Sequence, residues 1–168
     1  MLPGEHQLAK NTLLTTLPAL YKEYNVSFEF KATTFNTTEY YHNILHLSIG
    51  GKDGTYGDRT PMISIWHPVV QVSSAVNGAA NYYKDFTPPI IIGKWMKMSV
   101  SQIKDVKGEY NYNIEMDGKV LHTVVNSGAQ DFTNVSVYAS DPWYEAQNGF
   151  IRNLVIRTSG QYPTVSSF

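Results

Sequence analysis

Apolar and polar residues take turns along most of this chain. Val26, Phe28 and Phe30 alternate with Ser27, Glu29 and Lys31. Leu45, Leu47 and Ile49 alternate with His46 and Ser48. Met96, Met98 and Val100 alternate with Lys97, Ser99 and Ser101. Tyr110, Tyr112 and Ile114 alternate with Asn111, Asn113 and Glu115, and Val135, Val137 and Ala139 with Ser136, Tyr138 and Ser140. A period of two turns one set of side chains into a core and the other into water, so each run predicts a half-buried strand. Further strands are expected over 13–16, 61–67, 69–75, 80–83, 120–125 and 150–157. In the last of these Ile151 is followed by Leu154 and Ile156, a change of phase that predicts a bulge.

Turn chemistry divides the runs. Asp117-Gly118 lies between two alternating segments and predicts a tight hairpin, and Asn77-Gly78 predicts a second. The glycine-rich stretch 50–58 is too long for a simple hairpin and is expected to shape a ligand site. Pro88-Pro89 interrupts the chain before Ile90, Ile91 and Ile92. A short helical turn is expected over 39–42, and 160–168 is expected to fray. Strands at this spacing without a long helical period imply an all-β sandwich or barrel. Residues 1–159 are expected to form one domain, a comfortable size for a single core.

Composition narrows the choice. Only 16% of the 168 residues are charged and the formal net charge is −1, so no field steers the chain to nucleic acid or acidic lipid. No apolar stretch approaches the ~20 residues of a membrane-spanning helix. The chain has no cysteine, which removes disulfide scaffolds and thiolate metal sites. The start Met1-Leu2-Pro3-Gly4 lacks the basic and apolar regions of a signal peptide. Asn25-Val26-Ser27, Asn36-Thr37-Thr38 and Asn134-Val135-Ser136 are acceptor triplets for N-glycosylation and point to a secreted or extracellular protein.

Several segments carry a resemblance. The opening Leu13-Leu14-Thr15-Thr16-Leu17-Pro18 leads to Tyr24-Asn25-Val26-Ser27-Phe28-Glu29-Phe30. Gly93-Lys94-Trp95-Met96-Lys97-Met98 precedes the hairpin from Asn113 to Val120, and the chain closes with Asn148-Gly149-Phe150-Ile151-Arg152-Asn153-Leu154-Val155-Ile156. These stretches resemble the concanavalin A-like lectin/glucanase superfamily, which includes laminin G-like modules and pentraxins. They also resemble secreted or surface modules of marine invertebrates. The resemblance implies a two-sheet antiparallel jelly-roll β-sandwich. Its relatives mostly bind glycans or proteins, some hold calcium at the rim, and a minority hydrolyse glucans.

Candidate chemistry follows from residue types. The superfamily's glucanases carry E-x-D-x-(x)-E on one strand. Glu115-Met116-Asp117 supplies the first two carboxylates, but Gly118, Lys119 and Val120 follow, and a retaining hydrolase needs its second carboxyl group. No nucleophile elbow is present, and the five histidines are scattered and expected at surfaces or edges. Calcium wants hard oxygen ligands. Asp58 and Asp141 are the candidate pair if their loops meet at one rim; alternatively Asp58 pairs with Arg59 or Lys52 and Asp141 starts a turn before Pro142. Sugars stack on aromatic faces beside fixed polar groups. The 12 Tyr and 3 Trp make Tyr56, Trp66, Tyr83, Trp143 and Tyr144 candidates, with Asn77, and with Arg59 as a fork for a carboxylate or sulfate. Trp95 is expected in the core. The reading is a non-catalytic extracellular module that binds a glycan or glycoprotein. A self-associating homo-oligomer is the first alternative and a glucanase-like hydrolase the second.

Overall fold

The computed structural model describes residues 4–35, 40–50 and 54–159. The triplet at Asn36, Lys52 as a partner for Asp58, and the segment 160–168 lie outside them. Among the described residues twelve strands are formed: β1 (His6–Gln7), β2 (Leu13–Leu20), β3 (Tyr24–Ala32), β4 (His42–Ser48), β5 (Met62–Trp66), β6 (Val69–Val76), β7 (Ala79–Phe86), β8 (Met96–Lys104), β9 (Tyr110–Met116), β10 (Lys119–Val125), β11 (Phe132–Tyr138) and β12 (Gly149–Thr158). They build two antiparallel six-stranded sheets. Sheet one has the order β1-β12-β3-β8-β9-β10, and sheet two β2-β11-β4-β5-β6-β7. Eleven of these twelve overlap strands expected from the sequence, five of them from strict alternation; β1, two residues long, is too short to show a period.

The core is the inner half of each alternation. Val26, Phe28 and Phe30 on β3, Met98 and Val100 on β8, and Ile114 on β9 meet Leu45 and Leu47 on β4 with Val135 and Val137 on β11, all buried. Full burial of side chains of this size is worth about 1.5–3 kcal/mol each. Between β9 and β10 Asp117 and Gly118 both take positive φ, 49° and 79°, and between β6 and β7 Asn77 and Gly78 do the same at 53° and 79°. Positive φ at both central residues is the type I′ hairpin, whose twist matches that of the strands. The bulge in β12 is present: the register slips between Arg152 and Val155, with Asn153 at φ 53°.

Two expectations are overturned. His42, His46 and Ser48 were expected towards solvent, and all three are buried. The whole of β4 is buried on both faces, because the segment after β11 stays against it. Asn43 N–H donates to Glu145 O, Gln147 N–H to Asn43 O and Ser140 N–H to Ile44 O. Of the helical turn expected over 39–42, residue 39 lies outside the described residues, Tyr40 is a bend and His42 already begins β4.

Candidate functional site

The outer face of sheet one carries a polar groove of about 320 Å³. Adjacent strands supply it in register: Ser27 of β3 pairs with Ser99 of β8, and Ser99 pairs with Glu115 of β9. One residue pair along, Asn25 lies opposite Arg157 of β12. Lys97 and the Asp117-Gly118 turn close the other end. These are the polar members of the alternation, and two serines fall side by side where neighbouring rows carry longer side chains. That gap in side-chain length makes the depression.

The floor is tied together and the walls are free. Asn25 Nδ2 donates to Ser99 Oγ at 3.0 Å. Asp117 Oδ1 accepts from the Lys97 backbone N–H at 2.8 Å, which commits this carboxylate to the hairpin. Among the described residues the side chains of Lys97, Glu115 and Arg157 have no hydrogen-bonded or ion-paired partner. Two cations and two carboxylates line the groove, so its formal charge is zero.

Beside the groove stands a closed ion-pair cluster. Arg152 Nη2 lies 2.7 Å from Glu29 Oε2, and Asn153 Nδ2 donates to Glu29 Oε1 at 3.0 Å. These bonds, that from Asn153 first and then that from Arg152, hold the Glu29 carboxyl below its usual range. Trp95 is half-buried here rather than in the core. Arg152 Cζ sits 4.0 Å and Lys31 Nζ 4.6 Å from its ring centroid. Two cations over this indole occupy the surface a sugar would stack on.

The aromatic and acidic candidates fall into three separate places. Trp66 and Tyr83 are exposed on the outer face of sheet two. Trp66 meets Tyr41 edge-on at 5.7 Å, and Asp85 accepts from Gln71 Nε2 at 2.9 Å with the Tyr41 hydroxyl 3.5 Å away. Burial, and then the Asp85 charge, raise the Tyr41 phenol. Tyr56 and Asn77 converge at one end of the sandwich. Tyr56 donates its hydroxyl to Gly128 O at 2.8 Å and rests against Phe132. Asn77 Nδ2 donates to Val125 O while its Oδ1 accepts from Ser127 N–H. Both side chains therefore hold loops together.

Arg59, Asp58, Asp141, Trp143 and Tyr144 gather around buried His46. Its Nδ1 is 2.8 Å from Asp141 Oδ2, and its Nε2 is 2.6 Å from the Asp58 carbonyl. Trp143 packs edge-on against the imidazole at 4.7 Å, with Arg59 Cζ 5.8 Å from the indole centroid. Asp141 Oδ1 accepts the backbone N–H groups of Trp143 and Tyr144, and Asp58 Oδ2 those of Gly54 and Thr55. The expectation that Asp58 and Asp141 share a calcium ion at a rim does not fit this geometry. Both are fully buried, and three of their four carboxylate oxygens are engaged by N–H groups or the imidazole. Among the described residues no group of three or more His, Asp or Glu is placed to hold a metal.

The groove on sheet one contains none of the aromatic candidates. Its signal in the sequence is the outward members of neighbouring runs: the small residues Ser27 and Ser99, flanked in their own runs by Glu29 and Lys97, beside Glu115.

No family model and no curated protein matches the sequence. Solved structures match its shape. The heptameric SAP-like pentraxin of Limulus polyphemus is similar over 92% of this chain and 73% of its own, with TM-score 0.60 and 17% identity. The botulinum neurotoxin serotype D binding domain is similar over 94% of this chain at TM-score 0.63 and 14% identity, and the chain spans only 40% of its length. The CBM40 of a Ruminococcus gnavus IT-sialidase, bound to α2,3 sialyllactose, is similar over 90% of this chain and 93% of its own, with TM-score 0.54 and 12% identity. With its two six-stranded antiparallel sheets, the chain has the jelly-roll sandwich fold of concanavalin A-like type.

Proposed function

We propose that the protein is a non-catalytic carbohydrate-binding module, and that it holds a neutral sugar in the groove on the outer face of sheet one. The observation that carries this reading is the convergence of Lys97, Glu115 and Arg157, none with a hydrogen-bonded or ion-paired protein partner among the described residues, on a floor of two serines. A sugar hydroxyl both donates and accepts, so it suits a wall where Lys97 and Arg157 donate and Glu115 accepts. The balanced charge of that wall favours a neutral ring over an anion. A binding role is also supported by the neighbours in shape, among them a carbohydrate-binding module, CBM66, from Bacillus subtilis. Catalysis is disfavoured because Asp117 is bound into its turn by Lys97 N–H, leaving Glu115 without the second free carboxylate that glycoside hydrolysis requires. Placement outside the cell belongs to the same proposal, supported by the triplet at Asn134, which is exposed on β11.

The test is a glycan array read with the wild-type chain and with Ser99→Trp, which fills the groove from its floor. Binding that disappears in the folded variant supports the proposal. An unchanged glycan profile in the variant removes the groove from the function. Self-association is the competing reading. It is supported by exposed Val120 and Val125 on β10, an edge strand of sheet one. Light scattering that finds only monomer excludes it.

A further inference from the structure

A second cleft meets the groove at Asp117. It encloses about 590 Å³ between the end of β7, the segment leading to β8, and the β9–β10 turn. Its apolar lining comes from Phe86, Pro88, Pro89, Ile91, Met96, Met116 and Leu121, and charge is confined to Asp85, Lys94, Asp117 and Lys119. Asp117 lines both spaces, so a two-residue turn is all that separates a polar groove from an apolar cleft. Both volumes fall within the roughly 300–1,000 Å³ of small-molecule sites. The cleft is open to water, and exposed Ile91 and Ile92 stand at and beside it. Pro88 and Pro89 stiffen the segment that carries these two isoleucines, so the apolar wall is preformed.

Resting on the sugar-binding reading, we infer that the ligand is an amphiphilic glycoside. Its sugar ring occupies the groove, its glycosidic oxygen passes over the Asp117-Gly118 turn, and its apolar aglycone, an alkyl chain, lies in the cleft against Ile91, Met96, Met116 and Leu121. Gly118 suits this crossing: it sits at φ 79° and carries no side chain, with open space where a Cβ would be. Neither space alone accounts for the other's chemistry. A free sugar leaves the apolar cleft wet, and a hydrocarbon alone makes no use of Lys97, Glu115 and Arg157.

The experiment is calorimetric titration with matched pairs of methyl and n-octyl glycosides of glucose, galactose, maltose and lactose, each below its micelle concentration. For the sugar that the groove accepts, the octyl glycoside is expected to bind at least tenfold more tightly than the methyl one. In Ile91→Asp, a change at an exposed position that leaves the fold intact, that advantage falls to within twofold while methyl glycoside affinity is unchanged. Ser99→Trp abolishes binding of both. Methyl and octyl glycosides binding alike overturns the inference and leaves the sugar-binding reading standing. An octyl advantage that survives Ile91→Asp overturns the placement of the chain in this cleft. Failure of every glycoside in the panel, or octyl binding that is indifferent to Ser99→Trp, overturns both.

Discussion

His46 and Asp141 join β4 to the loop that follows β11 through a 2.8 Å contact between Nδ1 and Oδ2, with the two side chains 1% and 0% exposed. The imidazole is held on its other side by the Asp58 carbonyl, so one ring links three stretches of chain. Asp141 also caps the backbone of Trp143 and Tyr144. Removing Asp141 leaves the imidazole Nδ1 buried without a hydrogen-bond partner, which costs roughly 1–3 kcal/mol. Asp141→Ala is therefore expected to lower the urea midpoint by that amount of stability, with the 139–147 segment loosening first. Amide hydrogen exchange at Trp143 and Tyr144 checks the second point. Equal protection in wild type and variant would show that the loop is held by something else.

Two glycines make opposite demands. A Cβ on Gly149 would lie 2.1 Å from the Lys31 carbonyl oxygen, backbone that cannot step aside without parting β12 from β3. Gly118 has open space around it and needs only its positive φ. Gly149→Ala is expected to lose at least the roughly 1–3 kcal/mol of an overpacked interior, and Gly118→Ala about 1–2 kcal/mol for a left-handed backbone. Thermal unfolding of the two variants side by side distinguishes steric from conformational cost.

Acid sensitivity should come from histidines. The Tyr82 hydroxyl and His122 Nε2 are hydrogen-bonded at 2.9 Å across the two sheets, and burial first, then the Lys84 charge, lowers the pKa of His122. Burial also lowers that of His42. A lowered folded-state pKa means that the unfolded chain takes up protons first, so stability is full above the unfolded value near 6.5 and declines as pH falls from there towards the folded value. The melting temperature is expected to drop between pH 7.5 and 5.5. His122→Gln should flatten part of that slope, and an identical slope in the variant would clear His122 of the effect.

Much of the sandwich was readable because burial of one face writes a period of two into sequence. Phe28, Met98 and Ile114 announce the core of sheet one, and Asn77-Gly78 and Asp117-Gly118 announce its hairpins and those of sheet two. What alternation cannot express is cover that arrives from far along the chain. His46 reads as an outward residue, and Asp141 and Trp143, about a hundred residues later, cover it together with the Asp58 carbonyl. The groove escaped for a related reason. Ser27, Ser99 and Glu115 belong to three strands, and their meeting is a matter of register, which no single run records. Trp95 was expected inside because large aromatics favour cores, but its partners are the cations Lys31 and Arg152 on the outer face.

Groove and aromatic platform can be told apart by two substitutions. Arg157 is exposed on β12 and its guanidinium has no partner among the described residues, so Arg157→Ala removes a donor without unfolding anything. A hydrogen bond from a charged group is worth about 1.5–3 kcal/mol, which predicts a loss of at least tenfold in affinity for a sugar held in the groove. Trp66 lies on the outer face of the opposite sheet, beside Tyr41, a full sandwich thickness of ~10 Å or more away. Trp66→Ala is therefore expected to leave that affinity within twofold. The reverse pattern, tolerance at Arg157 and loss at Trp66, would move the sugar to the platform formed by Trp66, Tyr41 and Tyr83, where stacking rather than hydrogen bonding would supply the affinity.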